Sequence, residues 1–247
     1  MPNKAAAVEN LFRPKMMIQI LSKKSESIRP CWNCQSDNIA FYNCGSCTSI
    51  QQFLHDTDYF TLFNIGYKLS VDPDVLEKQY YELSRRFHPD YYQQRSKAEQ
   101  DISLENTALL NTAYQTLQDP LKKTTYLLRL IEGDEALPTQ APAELFEEIF
   151  EIQENLETLR DLVPSDTDSR TKLAKTLCSA AKEMTQFQAE ENAQLKALFL
   201  KWDALETQRR DNGFSAAQKE LLTKMKQILS HAGYLERILQ DIKTALQ

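Results

Sequence analysis

The sequence predicts an all-α protein that ends in a three-helix bundle, and three observations predict it. Glycine is scarce: there are five, where average usage would give about 17 in a chain of this length. That count excludes glycine-rich phosphate cradles, and no P-loop or G-x-G-x-x-G occurs. It also counts against an all-β chain, which leans on Asn-Gly and Asp-Gly hairpin turns. Second, apolar residues recur at spacings of three and four from about residue 73 to the end. Third, 42% apolar and 26% charged residues over 247 positions suffice for buried cores in one large domain or two to three small ones.

The chain begins with a basic stretch. Residues 1–30 carry Lys4, Arg13, Lys15, Lys23, Lys24 and Arg29 against Glu9 and Glu26. Residues 1–27 read as a disordered or a targeting tail, and the choice decides whether they are cleaved. The Met16–Leu21 stretch is too short and interrupted for a secretory signal core. No apolar run reaches the length of a membrane span.

Residues 28–52 form the next segment. Cys31-Trp-Asn-Cys34 and Cys44-Gly-Ser-Cys47 make a C-x2-C-x9-C-x2-C arrangement. Each C-x2-C turns two thiolates toward one point, and two such knuckles supply the four tetrahedral sulfurs that Zn²⁺ favours. Four thiolates leave no open position, so the zinc would be structural. A pair of disulfides and a redox dithiol are the rival readings; the lack of a secretory signal counts against the first. His55 is a substitute ligand in principle. The fifth cysteine, Cys178, reads as a packing residue, and His231 as an isolated histidine.

After Asp72-Pro73-Asp74, Leu76, Tyr80, Leu83 and Phe87 make one buried helix stripe, which Pro89 ends. A second helix is predicted from about Lys97 to Gln118, stopped by Asp119-Pro120. A third, Leu121–Ile131, closes at Gly133. Residues 133–142, with two prolines and no periodicity, are a linker. Residues 143–247 then give the bundle. Its first helix has the stripe Leu145, Ile149, Ile152, Leu156, Leu159 and Val163. Its second, from about 170 to 209, carries Leu173, Leu177, Met184, Phe187, Leu195, Leu198, Trp202 and Leu205. Its third has Leu221, Met225, Ile228, Ala232, Leu235, Leu239, Ile242 and Leu246. The breaks fall at Pro164-Ser165-Asp166 and Asn212-Gly213-Phe214, and three such stripes bury one another as an antiparallel bundle.

Net charge is −6, which disfavours a general phosphate-backbone binder, so no nucleic acid is expected. The acidity is local. Segment 134–163 holds nine acidic residues and one basic one, Arg160.

Between the first two helices stands His88-Pro89-Asp90, a triplet that average composition would place in about one such chain in a hundred. Proline biases His88 to extended backbone and puts Asp90 beyond the helix end. Lys78, Arg85 and Arg86 lie on or beside the outer face of the preceding helix. A basic helix leading to an exposed loop suits docking on an acidic partner; a solvated face and a capping turn is the plainer reading.

Tyr80–Asp90, followed by Leu110-Asn-Thr-Ala-Tyr114-Gln-Thr-Leu-Gln-Asp-Pro120, resembles the J domain of DnaJ-type co-chaperones. Asp58–Phe63 and Leu121–Leu128 are similar to the HscB family, J-type co-chaperones of iron–sulfur cluster assembly. That resemblance runs from about residue 58 to the C-terminus, and the tetracysteine segment is similar to an N-terminal extension of some members. It implies a J domain over residues 57–132 and no catalytic site of its own. It implies that Lys78, Arg85, Arg86, His88, Pro89 and Asp90 engage a DnaK/HscA-class ATPase chaperone, with the triplet stimulating hydrolysis there. It implies a bundle that carries an IscU-type scaffold. Tyr91-Tyr92 stands where many J domains have a lysine.

Phe146 and Phe150 in the first bundle helix sit about 100° from the core stripe, among Glu147, Glu148, Glu151 and Glu154. Tyr234 likewise precedes the stripe residue Leu235. Off-stripe aromatics with an acidic surround fit an apolar hot spot with a charged rim; a widened core seam is the alternative. The resemblance places Phe146, Phe150, Glu151, Glu154 and Tyr234 in the scaffold-binding surface, with Glu147 where apolar residues are common. The expected function is that of a co-chaperone in the cytoplasm or the mitochondrial matrix, with structural zinc and no membrane partner. The alternative is a J-domain protein that delivers another client through its zinc segment and bundle.

Overall fold

The computed structural model describes residues 30–37, 39–40, 42–53, 57–133, 136–163, 165–206 and 215–247. The tail at 1–27, His55, Asp134, Glu135, Pro164 and the Asn212-Gly213-Phe214 break lie outside the described residues. The chain divides into two compact units, one from residues 1–56 with 87–108, the other from 57–86 with 109–247.

In the smaller unit, β1 (Ile39–Ala40) pairs antiparallel with β2 (Asn43–Cys44), with Ile39 opposite Cys44. The two knuckles beside this hairpin repeat one geometry. Cys31 N–H donates to Ser36 O at 2.9 Å and Gln35 N–H to Cys31 O at 2.9 Å. Thirteen residues on, Cys44 N–H donates to Ser49 O at 2.9 Å and Thr48 N–H to Cys44 O at 2.8 Å. Gln35 (φ 60°) and Thr48 (φ 62°) both take the left-handed backbone, which ordinary residues adopt at a steric cost of about 1–2 kcal/mol. The same strained position in both knuckles is what turning two sulfurs to one point demands.

The smaller unit also holds Phe87, the short 3₁₀ turn Pro89–Tyr92 and the first half of a long helix. Ser96 and Glu99 form a reciprocal capping box at that helix start, Ser96 N–H to Glu99 Oε2 at 3.2 Å and Glu99 N–H to Ser96 Oγ at 3.4 Å.

The remaining α-helices among the described residues are α1 (Tyr59–Leu62), α2 (Pro73–Phe87), α3 (Lys97–Gln118), α4 (Pro120–Glu132), α5 (Phe146–Asp161), α6 (Thr167–Glu206) and α7 (Ala216–Ala245), with a short 3₁₀ turn at Ala143–Leu145 before α5. Local chemistry sets their ends. Asp119 caps α4 by accepting the N–H groups of Leu121 at 2.8 Å and Lys122 at 3.0 Å, with Pro120 at the first helical position. Gly133 closes α4 at φ 93°, a conformation glycine adopts without a Cβ penalty. Ser215 and Gln218 make a capping box for α7.

In the larger unit, Tyr80 of α2 stacks on Tyr114 of α3 at 4.3 Å and donates its hydroxyl to Asn111 Oδ1 at 2.9 Å. The bundle core joins Ile149, Ile152, Leu156 and Leu159 of α5 to Leu177 and Met184 of α6 and Leu235, Ile238 and Ile242 of α7. The helix α6 extends past that cluster, and its C-terminal half buries Leu195, Phe199 and Trp202. Trp202 Nε1 donates to Tyr67 O at 3.1 Å, and Asp203 accepts the N–H groups of Leu69 and Ser70, both at 2.8 Å. Lys123 of α4 lies over the Phe199 ring at 5.2 Å, and burial pulls its ammonium down to about 8.

Four readings of the sequence are corrected here. Val163 is exposed, because α5 ends at Asp161 and Leu162 already has extended backbone. Leu246 is the α7 C-cap and also exposed. Cys178 is exposed beside the buried Leu177, one position and so about 100° off the core face. His231 is buried, and its Nδ1 lies 2.6 Å from Glu191 Oε1.

Candidate metal centre and docking surfaces

The four cysteines predicted as ligands converge. The sulfurs of Cys31, Cys34, Cys44 and Cys47 all lie within 4.8 Å of one another, with Cys31–Cys47 and Cys34–Cys44 each at 3.6 Å. A tetrahedral Zn–S distance near 2.3 Å corresponds to sulfur separations of about 3.8 Å, so the set has the span of a four-thiolate metal site. All four thiols are free, and the two 3.6 Å sulfur separations are longer than a disulfide bond.

Surrounding donors suit anionic sulfur. Gln51 Nε2 points at Cys31 Sγ at 3.3 Å, Ser46 N–H at Cys44 Sγ at 3.4 Å and Asn33 Nδ2 at Cys47 Sγ at 3.7 Å. The side chain and backbone of Ser49 pull the Cys47 thiol down to about 6. At Cys34 the Ser36 N–H favours the thiolate, but the neighbouring sulfurs outweigh it and push the thiol up to about 12. Four sulfurs this close cannot all ionise without a cation, and a divalent ion relieves that repulsion. The cluster can hold a metal ion.

The His-Pro-Asp segment leaves α2 directly after Phe87. His88 takes extended backbone (φ −58°, ψ 126°), as its position before proline requires. Its Nδ1 accepts the Asp90 N–H at 3.3 Å, so the imidazole caps the 3₁₀ turn. The Asp90 carboxylate is 70% exposed, and Gln93 Nε2 donates to it at 3.2 Å. Asp90 is therefore presented outward on a turn pinned by His88 and Pro89. Lys78, Arg85 and Arg86 are all exposed on α2. A shallow groove on that helix joins Lys78, Tyr81 and Arg85 with Asp74, Glu77 and Glu82. Acidic residues dominate the start of α2 and Arg85-Arg86 its last turn, the order the helix dipole favours.

On α5, Phe146 is 66% exposed and Phe150 65%, whereas the adjacent stripe residues Ile149 and Ile152 are 4% and 1% exposed. Glu147, Glu148, Glu151 and Glu154 are exposed on the same helix. Tyr234 of α7 is different: it is half-buried against the bundle core, with the Arg237 guanidinium over its ring at 5.8 Å. Periodicity marked Trp202 as a stripe residue but not its bond to Tyr67, and it did not single out Asp203, Tyr42, Phe53 or Asn106, which make tertiary contacts of their own. The Trp and the aromatics flanking the cysteines were the available signal, but nothing local names their partners.

Among the described residues no helix is long and apolar enough to cross a membrane. Residues 58–126 match the family model described as DnaJ domain. The mouse iron–sulfur cluster co-chaperone protein HscB is 33% identical over 208 residues, 81% of this chain and 79% of that protein. The human protein of the same name is 30% identical over 222 residues, 86% of this chain and 80% of that protein. The crystal structure of human co-chaperone protein HscB superposes with a TM-score of 0.59 at 25% identity, covering 87% of this chain and 96% of that one. A tetracysteine cluster, a J domain with an exposed His-Pro-Asp turn and a helical bundle, found together in a chain this similar to the mammalian proteins, place it in the HscB family of iron–sulfur cluster co-chaperones, whose members are J-domain proteins and not enzymes.

Proposed function

We propose that this co-chaperone links an IscU-type scaffold to a DnaK/HscA-class ATPase chaperone. The work divides as 28–52 for metal binding, 57–132 for the chaperone, 133–142 as linker and 143–247 for the scaffold, with a tail at 1–27. The J domain docks through Lys78, Arg85 and Arg86 and sets Asp90 against the chaperone, where it favours ATP hydrolysis. His88 holds the turn and Pro89 fixes its backbone, so the Asp90 carboxylate reaches the partner already oriented. All of the ATPase chemistry belongs to that partner.

The exposed pair Phe146 and Phe150 carries the reading for the other end. Two large aromatic rings kept in solvent one helical turn apart, beside a buried stripe, have no folding role that uses their area. They fit the centre of an interface, with Glu151 and Glu154 as its charged rim and Tyr234 contributing from α7. Zinc is the metal that best matches four thiolates with no open position, and its role is structural. The cytoplasm is the proposed location, with the mitochondrial matrix as the alternative. Binding of purified scaffold protein tests the scheme: the double variant Phe146→Ala, Phe150→Ala should lose about 100-fold or more in affinity. Unchanged affinity would remove the patch from the account.

A further inference from the structure

The smaller unit joins two features that lie forty residues apart in the sequence, the cysteine cluster and the His-Pro-Asp loop. Gln51 touches the cluster directly, its Nε2 3.3 Å from Cys31 Sγ. Its main-chain carbonyl accepts Asn106 Nδ2 at 2.9 Å, and Asn106 Oδ1 accepts the Phe53 N–H at 2.9 Å. One buried amide of α3 thus clamps the strand leaving the second knuckle on both sides. The Phe53 ring meets Phe87 edge-on at 4.9 Å, and Tyr42 meets Phe53 at 4.8 Å and Phe87 at 5.3 Å. Phe87 is wholly buried, and its carbonyl accepts Ser103 Oγ at 2.6 Å and Thr107 Oγ1 at 3.0 Å. The next residue is His88, whose ring holds the Asp90 N–H.

We propose that Tyr42, Phe53 and Asn106 are positioning residues for the His-Pro-Asp loop, and that metal binding at the four cysteines sets the loop through them. The contacts run from sulfur to Gln51, to Phe53, to Phe87, to His88, with no gap. Interlocked edge-to-face rings and a two-sided amide clamp have narrow geometry. A knuckle segment that loses its metal loses the restraint holding residues 51–53 on α3, and Phe87 loses two of its ring neighbours. None of these residues belongs to the chaperone-docking set, so they act only through the loop. The functional consequence rests on the co-chaperone reading above.

Amide hydrogen exchange at Asp90 and Tyr91, read on the full chain, tests the proposal without any partner. Metal-free protein should exchange there at least tenfold faster than protein reloaded with Zn²⁺ alone, while amides of the bundle core stay unchanged. Phe53→Leu, which keeps an apolar side chain and all four cysteines, should show the same acceleration with metal bound. Phe53→Tyr should restore slow exchange. In a chaperone ATPase assay Phe53→Leu should lower maximal stimulation at least threefold at an unchanged half-saturating concentration. Equal exchange at Asp90 and Tyr91 with and without metal, or in Phe53→Leu, overturns the proposal, as does unaltered maximal stimulation by that variant. If the parent chain itself fails to stimulate the chaperone, the co-chaperone mechanism falls, and the exchange data still decide whether the loop is braced.

Discussion

Asp203, near the end of the forty-residue helix α6, accepts the main-chain N–H of Leu69 at 2.8 Å, and its second oxygen takes the N–H of Ser70. The two amides are 133 to 134 residues away in sequence. Together with the Trp202 indole on the Tyr67 carbonyl, this ties the segment entering α2 to α6 through three hydrogen bonds.

Asp203→Ala strands both amides. Charge-assisted bonds of this kind, partly exposed, predict a loss of about 2 kcal/mol, or about 4–8 °C in Tm for a chain of this size. Urea unfolding checks it. Asp203→Asn should lose less, since one carbonyl oxygen remains to accept.

Among the described residues, the Asp90 side chain meets only Gln93 and His88, both within its own turn. Asp90→Asn should therefore change unfolding free energy by no more than about 0.5 kcal/mol while abolishing stimulation of the chaperone. Parallel denaturation and ATPase assays on one preparation separate the two effects.

The α5 patch predicts a contrast within one helix. Phe146→Ala and Phe150→Ala should each alter stability by less than about 0.5 kcal/mol yet weaken scaffold binding. Ile152→Ala, two residues beyond Phe150 and in the core, should lose about 2–5 kcal/mol of stability. Equal destabilisation by all three would make the phenylalanines part of the core seam.

The buried pair Glu191 and His231 predicts a pH dependence. Burial raises the Glu191 carboxyl above its ordinary 4.5, Glu144 adds to the rise, and His231 opposes it. The folded chain then holds this proton more tightly than the unfolded chain, so its contribution is fully present below pH 4.5 and is lost as the pH rises through the folded value. Glu191→Gln keeps a hydrogen-bonding group for His231 and cannot ionise. The stability of the parent relative to this variant should fall as the pH rises from 4.5, measured by urea unfolding at several pH values. A pH-independent difference would contradict the assignment.

Much of this architecture was legible before the structure because its determinants are local. Helix α3 runs Lys97–Gln118, ending at the Asp119-Pro120 stop that the sequence marks, and cysteine spacing alone foretold a four-sulfur cluster. What escaped was long-range. Lys123 lies over the buried Phe199 ring, Asp203 is polar in a half-buried place because Leu69 and Ser70 need it, and Asn106 is buried because residues 51 and 53 share it. A helical period reports which face is apolar and not which partner arrives from elsewhere in the chain. The same limit explains His231, which reads as isolated until Glu191 is brought beside it. At α5 the period worked in the opposite sense: it marked Phe146 and Phe150 as off the stripe, and their exposure follows.

The central claim, that one chain couples a scaffold to an ATPase chaperone through two separate surfaces, is tested most directly by steady-state ATP hydrolysis of the chaperone with scaffold present. The parent chain should stimulate hydrolysis, Asp90→Asn should remove the stimulation, and Phe146→Ala with Phe150→Ala should remove only the increment that the scaffold adds. No stimulation by the parent, or stimulation that survives Asp90→Asn, would contradict it.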